Sequence, residues 1–192
     1  MDFYLCLKKT SNMKQIILNL AMSLDGFIEG PNGETDWCIM DDDMDFDAFL
    51  DSIDTILYGR ISYEQWGNYQ PDENAEKPEK EMWTAIHSKN KVVFSHQSRT
   101  DKNAIYISDN IAEKMAEIKQ NAKKDLWLYG GAHLIKTFIG LGLVDVYKIS
   151  VHPVVLGSGK PLFESITDRV QLQLTNTKIF RSGVVELTYH SM

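Results

Sequence analysis

The sequence predicts an α/β fold: a mixed, mostly parallel central sheet with helices on both faces and an antiparallel hairpin at its C-terminal end. Three observations predict it. Short apolar runs alternate with stretches of helical periodicity from Gln15 to Ile139, the spacing of β-α-β units. Two of these runs, Thr55 to Tyr58 and Leu126 to Tyr129, break at glycine and pass straight into a helical pattern. After Gly140 the texture changes, and two long runs, Val170 to Phe180 and Val184 to His190, flank Arg181-Ser182-Gly183 as a hairpin would.

Bulk properties bound the function. A chain of 192 residues fits one domain able to bury a core without disulfides or metal. A net charge of -7 argues against nucleic acid or an anionic membrane as the main partner. Cys6 and Cys38 form neither a disulfide framework nor a metal-ligand spacing, so a reducing cytoplasm is expected and no metal site is. No apolar run reaches the roughly 20 residues needed to span a bilayer. Residues 1–12 are expected to be an extension, with Met13 a plausible alternative start and 13–192 the single domain.

In chain order, Gln15 to Ser23 is apolar on both faces and is expected to be a central strand. The turn-rich stretch from Leu24 to Gly33 follows it and leads to Trp37. In it, Asp25 is either an Asx-type turn former beside Gly26 or a polar group aimed at a substrate. Asp41-Asp42-Asp43 precede a helix with apolar Met44, Phe46, Phe49 and Leu50. Helix capping explains one or two of these carboxylates, and another could grip an amidine-like edge of a heterocycle. Thr55 to Tyr58 is the second strand. Beyond it, Ser62 can cap a helix or bond a phosphate, and Arg60 offers a phosphate-matching fork or pairs with a surface carboxylate. Pro71 to Pro78 is a polar loop, Glu79 to Ser88 a helix, and Lys91 to Ser95 a third strand. Ala104 to Ile107 is a short strand, and Asn110 to Lys119 a helix with Ile111, Met115 and Ile118 inward.

Leu126 to Ile139 (LWLYGGAHLIKTFI) organises the whole. A strand feeds a helix through Gly130-Gly131, whose backbone can lie close against a ligand while the helix's first N–H groups face an anion. In a parallel sheet, the ends at Gly59 to Ser62, Ser95-His96 and Gly130-Gly131 share one edge, where a dinucleotide's phosphates and ribose are gripped. Val144 to His152 is then a strand, and Val154 to Phe163 a glycine-punctuated loop.

SLDGFI (Ser23 to Ile28), Trp37, YGRISYE (Tyr58 to Glu64), Phe94-Ser95, YGGAHLIKTFI (Tyr129 to Ile139) and VHPVVLGSGKPLF (Val151 to Phe163) stand in an order that resembles the dihydrofolate reductase fold. Within it they are most like the reductase domain of bifunctional riboflavin-biosynthesis proteins and its stand-alone relatives. The resemblance implies a three-layer dihydrofolate reductase-like fold and an NADPH-dependent reductase acting on a pteridine- or pyrimidine-type small molecule. By that resemblance, Gly59, Arg60 and Ser62 meet the 2'-phosphoadenosine and pyrophosphate, and Ser95 the adenosine end. Gly130, Gly131, Ala132 and Leu134 cradle the pyrophosphate, while the loop from Ala21 to Gly33 covers the nicotinamide. Asp25 and Trp37 border the substrate, and Asp42 or Asp43 stands at about the distance before YGR where dihydrofolate reductase holds the pterin ring with a carboxylate. For the proton, Asp25 or one of Asp42 and Asp43 is a candidate relay through water, and Tyr129 is the alternative. A homodimer is implied as well. Tyr129 stands where the family commonly has glutamate, and Phe27 where it commonly has lysine. Both changes remove groups that would serve a ribosyl-phosphate substrate. The alternative reading is a nucleotide-binding module of the same fold without turnover.

Overall fold

The structure, a computed structural model, describes residues 13–97 and 101–192. The expected extension at 1–12, Ser98-Arg99 and the side chain of Asp42 lie outside the described residues. Strand β1 (Ile16–Ser23) lies near the middle of an eight-stranded sheet, with parallel neighbours on both sides. Its Ile16 and Leu18 are fully buried, as a run apolar on both faces requires. β2 (Phe27–Glu29) falls inside the stretch expected to be only turns, and pairs with β8 (Lys160–Pro161) as a small separate sheet.

The helix expected after Asp41-Asp42-Asp43 is broken in two. A single 3-10 turn, Asp42–Met44, is cut off from α1 (Phe46–Ser52) by Asp45, which takes a left-handed conformation (φ 51). Aspartate tolerates that region better than most residues. Neither turn has a side-chain cap, so the capping role expected of these carboxylates is absent. The Asp41 carboxylate instead accepts hydrogen bonds from the hydroxyl and the backbone N–H of Ser182, far along the chain.

β3 (Ile53–Gly59) runs into the one-turn α2 (Arg60–Ser62) and a π turn, Tyr63–Gly67. Then come α3 (Lys77–His87), with Pro78 in its first turn, β4 (Asn90–Phe94), β5 (Ile105–Ile107) and α4 (Ile111–Asn121). β6 (Asp125–Gly130) feeds α5 (Ala132–Gly140), and β7 (Val146–His152) follows. β9 (Leu172–Ile179) and β10 (Val185–Ser191) form the C-terminal hairpin. The sheet order is β5-β4-β3-β6-β1-β7-β10-β9, parallel through β7 and antiparallel beyond it.

Alternation along the central strands sorts their side chains to two faces. Leu57, Leu126 and Leu128 join Phe138 and Met115 in one buried cluster, under α4 and α5. Ile56, Tyr58 and Trp127 join Phe49, Leu50 and Trp83 in the other, under α1 and α3. Helices therefore cover both faces. A fully buried side chain such as Phe138 contributes about 1.5–3 kcal/mol, so each cluster holds its helices by packing. No helix among the described residues is long and apolar enough to cross a membrane.

Candidate active site

Because β4, β3 and β6 are adjacent and parallel, their C-terminal ends meet at one edge of the sheet. They wall a cavity of about 500 Å³ with Gly59, Arg60, Ser62, Ser95, Gly131, Ala132 and Leu134. The predicted corners therefore converge. Gly130 is the exception: it lies behind the wall, at φ +112, where a Cβ would meet the Ile135 side chain at 3.1 Å. Gly59 has a packing reason to lack a side chain, since a Cβ there would come within 3.3 Å of the Gly131 nitrogen. Strand contact explains that glycine without any ligand. At Gly131 a Cβ would meet Ser62 Oγ at 3.2 Å, at the mouth of the cavity.

No side chain caps α5, whose N-cap is Gly131. The Leu134 and Ile135 N–H groups donate to the Gly131 carbonyl, which leaves those of Ala132 and His133, both cavity-lining residues, as the unsatisfied start of the helix at its positive dipole end. Ser62 does not cap a helix either, because α2 starts from Gly59 with no side-chain cap. Arg60 follows its surface-pair reading: Nη1 donates to Glu64 Oε2 at 2.6 Å. Arg60 also lines the cavity, and the bond to Glu64 does not use up its five N–H donors.

A second cavity, of about 340 Å³, opens on the α1 face. The two share Glu29, Ser62, Gln65 and Gly131. Phe46, Phe49, Trp66, Trp127 and Tyr129 supply its apolar wall, with Phe49 and Trp127 edge to face at 5.3 Å. Lys148, Ser150 and His152 enter it from one face of β7, and Glu186 from β10. Lys148 Nζ lies 3.3 Å from Glu186 Oε2 and 5.6 Å from the centre of the Phe49 ring. The His152 Nδ1 accepts a hydrogen bond from the Ile39 N–H at 3.2 Å. Burial pulls the His152 pKa down, the Asp41 carboxylate opposing it, so the ring is neutral with its proton on Nε2. Burial, then the Asp36 carboxylate, pushes the Cys38 thiol on the same wall up to about 11, which leaves it protonated and unreactive.

The predicted acid and substrate residues fare unevenly. Tyr129 lines the second cavity, and burial, with Glu29 and Cys38 nearby, raises its pKa far above physiological pH. It is an O–H donor at every working pH. Asp25 is on neither wall, and of its two readings its hydrogen bonds follow the turn role. Its carboxylate accepts from Ser23 Oγ at 2.7 Å and from the N–H groups of Leu156 and Gly157 at 3.1 and 2.7 Å. Those bonds, the Ser23 hydroxyl foremost, hold its pKa below the ordinary carboxylate value. Asp43 is likewise off both walls, exposed, with its carbonyl bonded by Lys178. Trp37 is on neither wall and touches His152, the ring centres 5.4 Å apart and nearly perpendicular, while its Nε1–H donates to the Glu34 carbonyl.

Sequence reasoning missed Glu29, Lys148, His152 and Glu186. The available signal was polar spacing at i, i+2 and i+4 on β7, a strand otherwise apolar enough to be interior. Glu186 has no such signal, because only the β7–β10 register brings it beside Ser150 and Lys148.

The fold and the paired cavities define a dihydrofolate reductase-like protein. The chain belongs to the RibD C-terminal domain family, which it matches over residues 14–185. It is 58% identical to the uncharacterized protein YyaP of Bacillus subtilis (strain 168), over 94% of this chain and 98% of that one. In fold it resembles a Shewanella sp. PV-4 protein named for riboflavin biosynthesis (TM-score 0.75, 20% identity, 93% of this chain and 99% of that one). It also resembles the dihydrofolate reductase of Enterococcus faecalis, solved with NADP(H) (TM-score 0.63, 16% identity, 92% and 96% covered). Family and fold together support a reductase of the riboflavin-pathway kind.

Proposed function

We propose that this protein is an NADPH-dependent reductase of a pteridine- or pyrimidine-type small molecule. One observation carries the reading: a cavity built from strand-end backbone and an uncapped helix start joins, at Ser62 and Gly131, a second cavity walled by aromatic rings. The first fits a phosphorylated nucleotide, since its anion-seeking groups are backbone N–H groups and the free edge of Arg60. The second fits a planar ring. NADPH, when bound, supplies the hydride. The chain's own residues bind the phosphates at the start of α5, orient the acceptor ring against Trp127 and Phe49, and keep water out. Tyr129, at the second cavity's wall, keeps its proton and donates a hydrogen bond from its hydroxyl to the acceptor ring, and Glu29 is the carboxylate on the wall that the two cavities share.

Titrating NADPH and NADH against intrinsic tryptophan fluorescence tests this. NADPH should quench at lower concentration than NADH, and Tyr129→Phe should lower turnover with little change in NADPH affinity. Absence of binding by either nucleotide overturns the reading. The module without turnover draws on Asp25, whose carboxylate is committed to the 156–157 loop rather than to chemistry. Saturable NADPH binding with no oxidation by any pteridine or pyrimidine offered would establish it. We further place the protein in the cytoplasm as a homodimer whose partner is its small-molecule substrate, not nucleic acid or membrane. Leu174 and Ile179, exposed on the edge strand β9, support the pairing, which light scattering would test.

A further inference from the structure

The two cavities differ in charge as well as in construction. Among the described residues on the wall of the aromatic cavity, Lys148 is the only lysine or arginine, and its charge is already matched by Glu186 at 3.3 Å. His152 is neutral and adds no positive charge. Glu29 is a second carboxylate on that wall, while its ion-pair partner Lys160 stands on the wall of the other cavity. The segment Glu34 to Asp45, which lends Thr35, Cys38, Ile39, Met40 and Met44 to the wall, brings no lysine or arginine of its own. Among the described residues Lys178 reaches it from outside, and it is occupied by the Asp43 carbonyl and the Asp45 carboxylate. An anionic group entering here finds no unmatched positive charge among the described wall residues, in a partly desolvated space.

We infer that this cavity selects a phosphate-free heteroaromatic ring carrying no negative charge, and that Lys148 and Glu186 orient the ring by reading a neighbouring acceptor and donor on its edge. The inference rests on the reductase reading for what the ring is there to do. Lys148 has ammonium donors left for a ring carbonyl, and Glu186 has acceptor capacity left for a ring N–H or amino group. The walls of Phe49 and Trp127 provide the apolar contact. A ring that bonds both partners satisfies a half-buried ion pair, whereas one lacking either group leaves a charge poorly solvated.

The test uses the full chain without added nucleotide, with quenching of Trp66 and Trp127 on the cavity wall as the readout. The two probes are an aminopyrimidinone free base and the same ring carrying a 5-phosphoribosylamino group. The free base should bind at least roughly tenfold more tightly. Lys148→Met should weaken it by about tenfold. Glu186→Gln should weaken the free base and at the same time narrow its advantage, because it leaves the charge of Lys148 unmatched and open to phosphate. A purely structural role for the pair would lower both affinities in proportion. Circular dichroism checks the variants, and Lys148→Met carries the test alone if Glu186→Gln fails to fold. Equal or tighter binding of the phosphorylated probe, or binding of neither, overturns the inference. A parallel NADPH titration separates the two failures: binding there with phosphate preference here sinks only this inference.

Discussion

The two cavities meet at Ser62 and Gly131 yet are made by different means. One is built from main chain: three neighbouring strand ends, glycine corners and the start of α5. The other is built from side chains of β1, β7, β10, α1 and the loop before α1. A backbone site depends on local geometry, so a single added carbon can block it while the fold survives. A side-chain site that is also the edge of a packed cluster cannot be altered without disturbing that cluster. Function and stability are thus separable at the first cavity and coupled at the second.

The sharpest way to break this contrast is Trp127→Ala. Trp127 is buried among Phe46, Phe49 and Tyr129, and its Nε1–H donates to the Asn19 carbonyl at 2.9 Å. Urea denaturation should show a loss of about 3–5 kcal/mol together with loss of substrate binding. An unchanged midpoint would mean that the second cavity is not part of the core. Gly131→Val should do the opposite. Its Cβ starts 3.2 Å from Ser62 Oγ and its methyls fill the junction, so NADPH affinity should fall by roughly a hundredfold, about 2.7 kcal/mol, with the far-ultraviolet spectrum intact. Unaltered affinity would place the nucleotide elsewhere.

Smaller effects sharpen the comparison. Arg60→Met should cut the preference for NADPH over NADH by about tenfold, since the guanidinium shares its donors between Glu64 and the cavity. A preference left intact would give Arg60 wholly to Glu64. The smallest effect belongs to His152. Its folded pKa is lowered, so below the ordinary 6.5 the unfolded chain binds a proton that the folded chain refuses. The stability it contributes is complete above 6.5 and is lost as pH falls from there toward the lowered folded value. Urea midpoints taken at several pH values should decline over that window in the wild type, and less steeply in His152→Asn.

The difference between the cavities also explains what could be read from the chain. Gly59-Arg60, Ser95 and Gly130-Gly131-Ala132 each follow a recognisable strand, and parallel strands put their ends on one edge whatever the rest does. The parallel units and the hairpin follow from periodicity in the same way, whereas the order of the strands does not. What the chain leaves open lies where a polar residue has two possible partners. Asp25 sits beside a turn glycine, and only the approach of the Leu156–Gly157 backbone decides that its carboxylate closes a loop. Asp41 looked like a helix cap until Ser182 was brought against it.

The sequence by itself determined the α/β class, the parallel-to-antiparallel change in the sheet and the glycine corners of the first cavity. These rest on hydrogen bonding and backbone freedom, which act between near neighbours along the chain. Tertiary structure alone decided that Lys148 and Glu186 pair, that His152 stays neutral and that Glu29 stands where the cavities join. Those depend on strand register and burial, quantities that exist only once distant segments have packed.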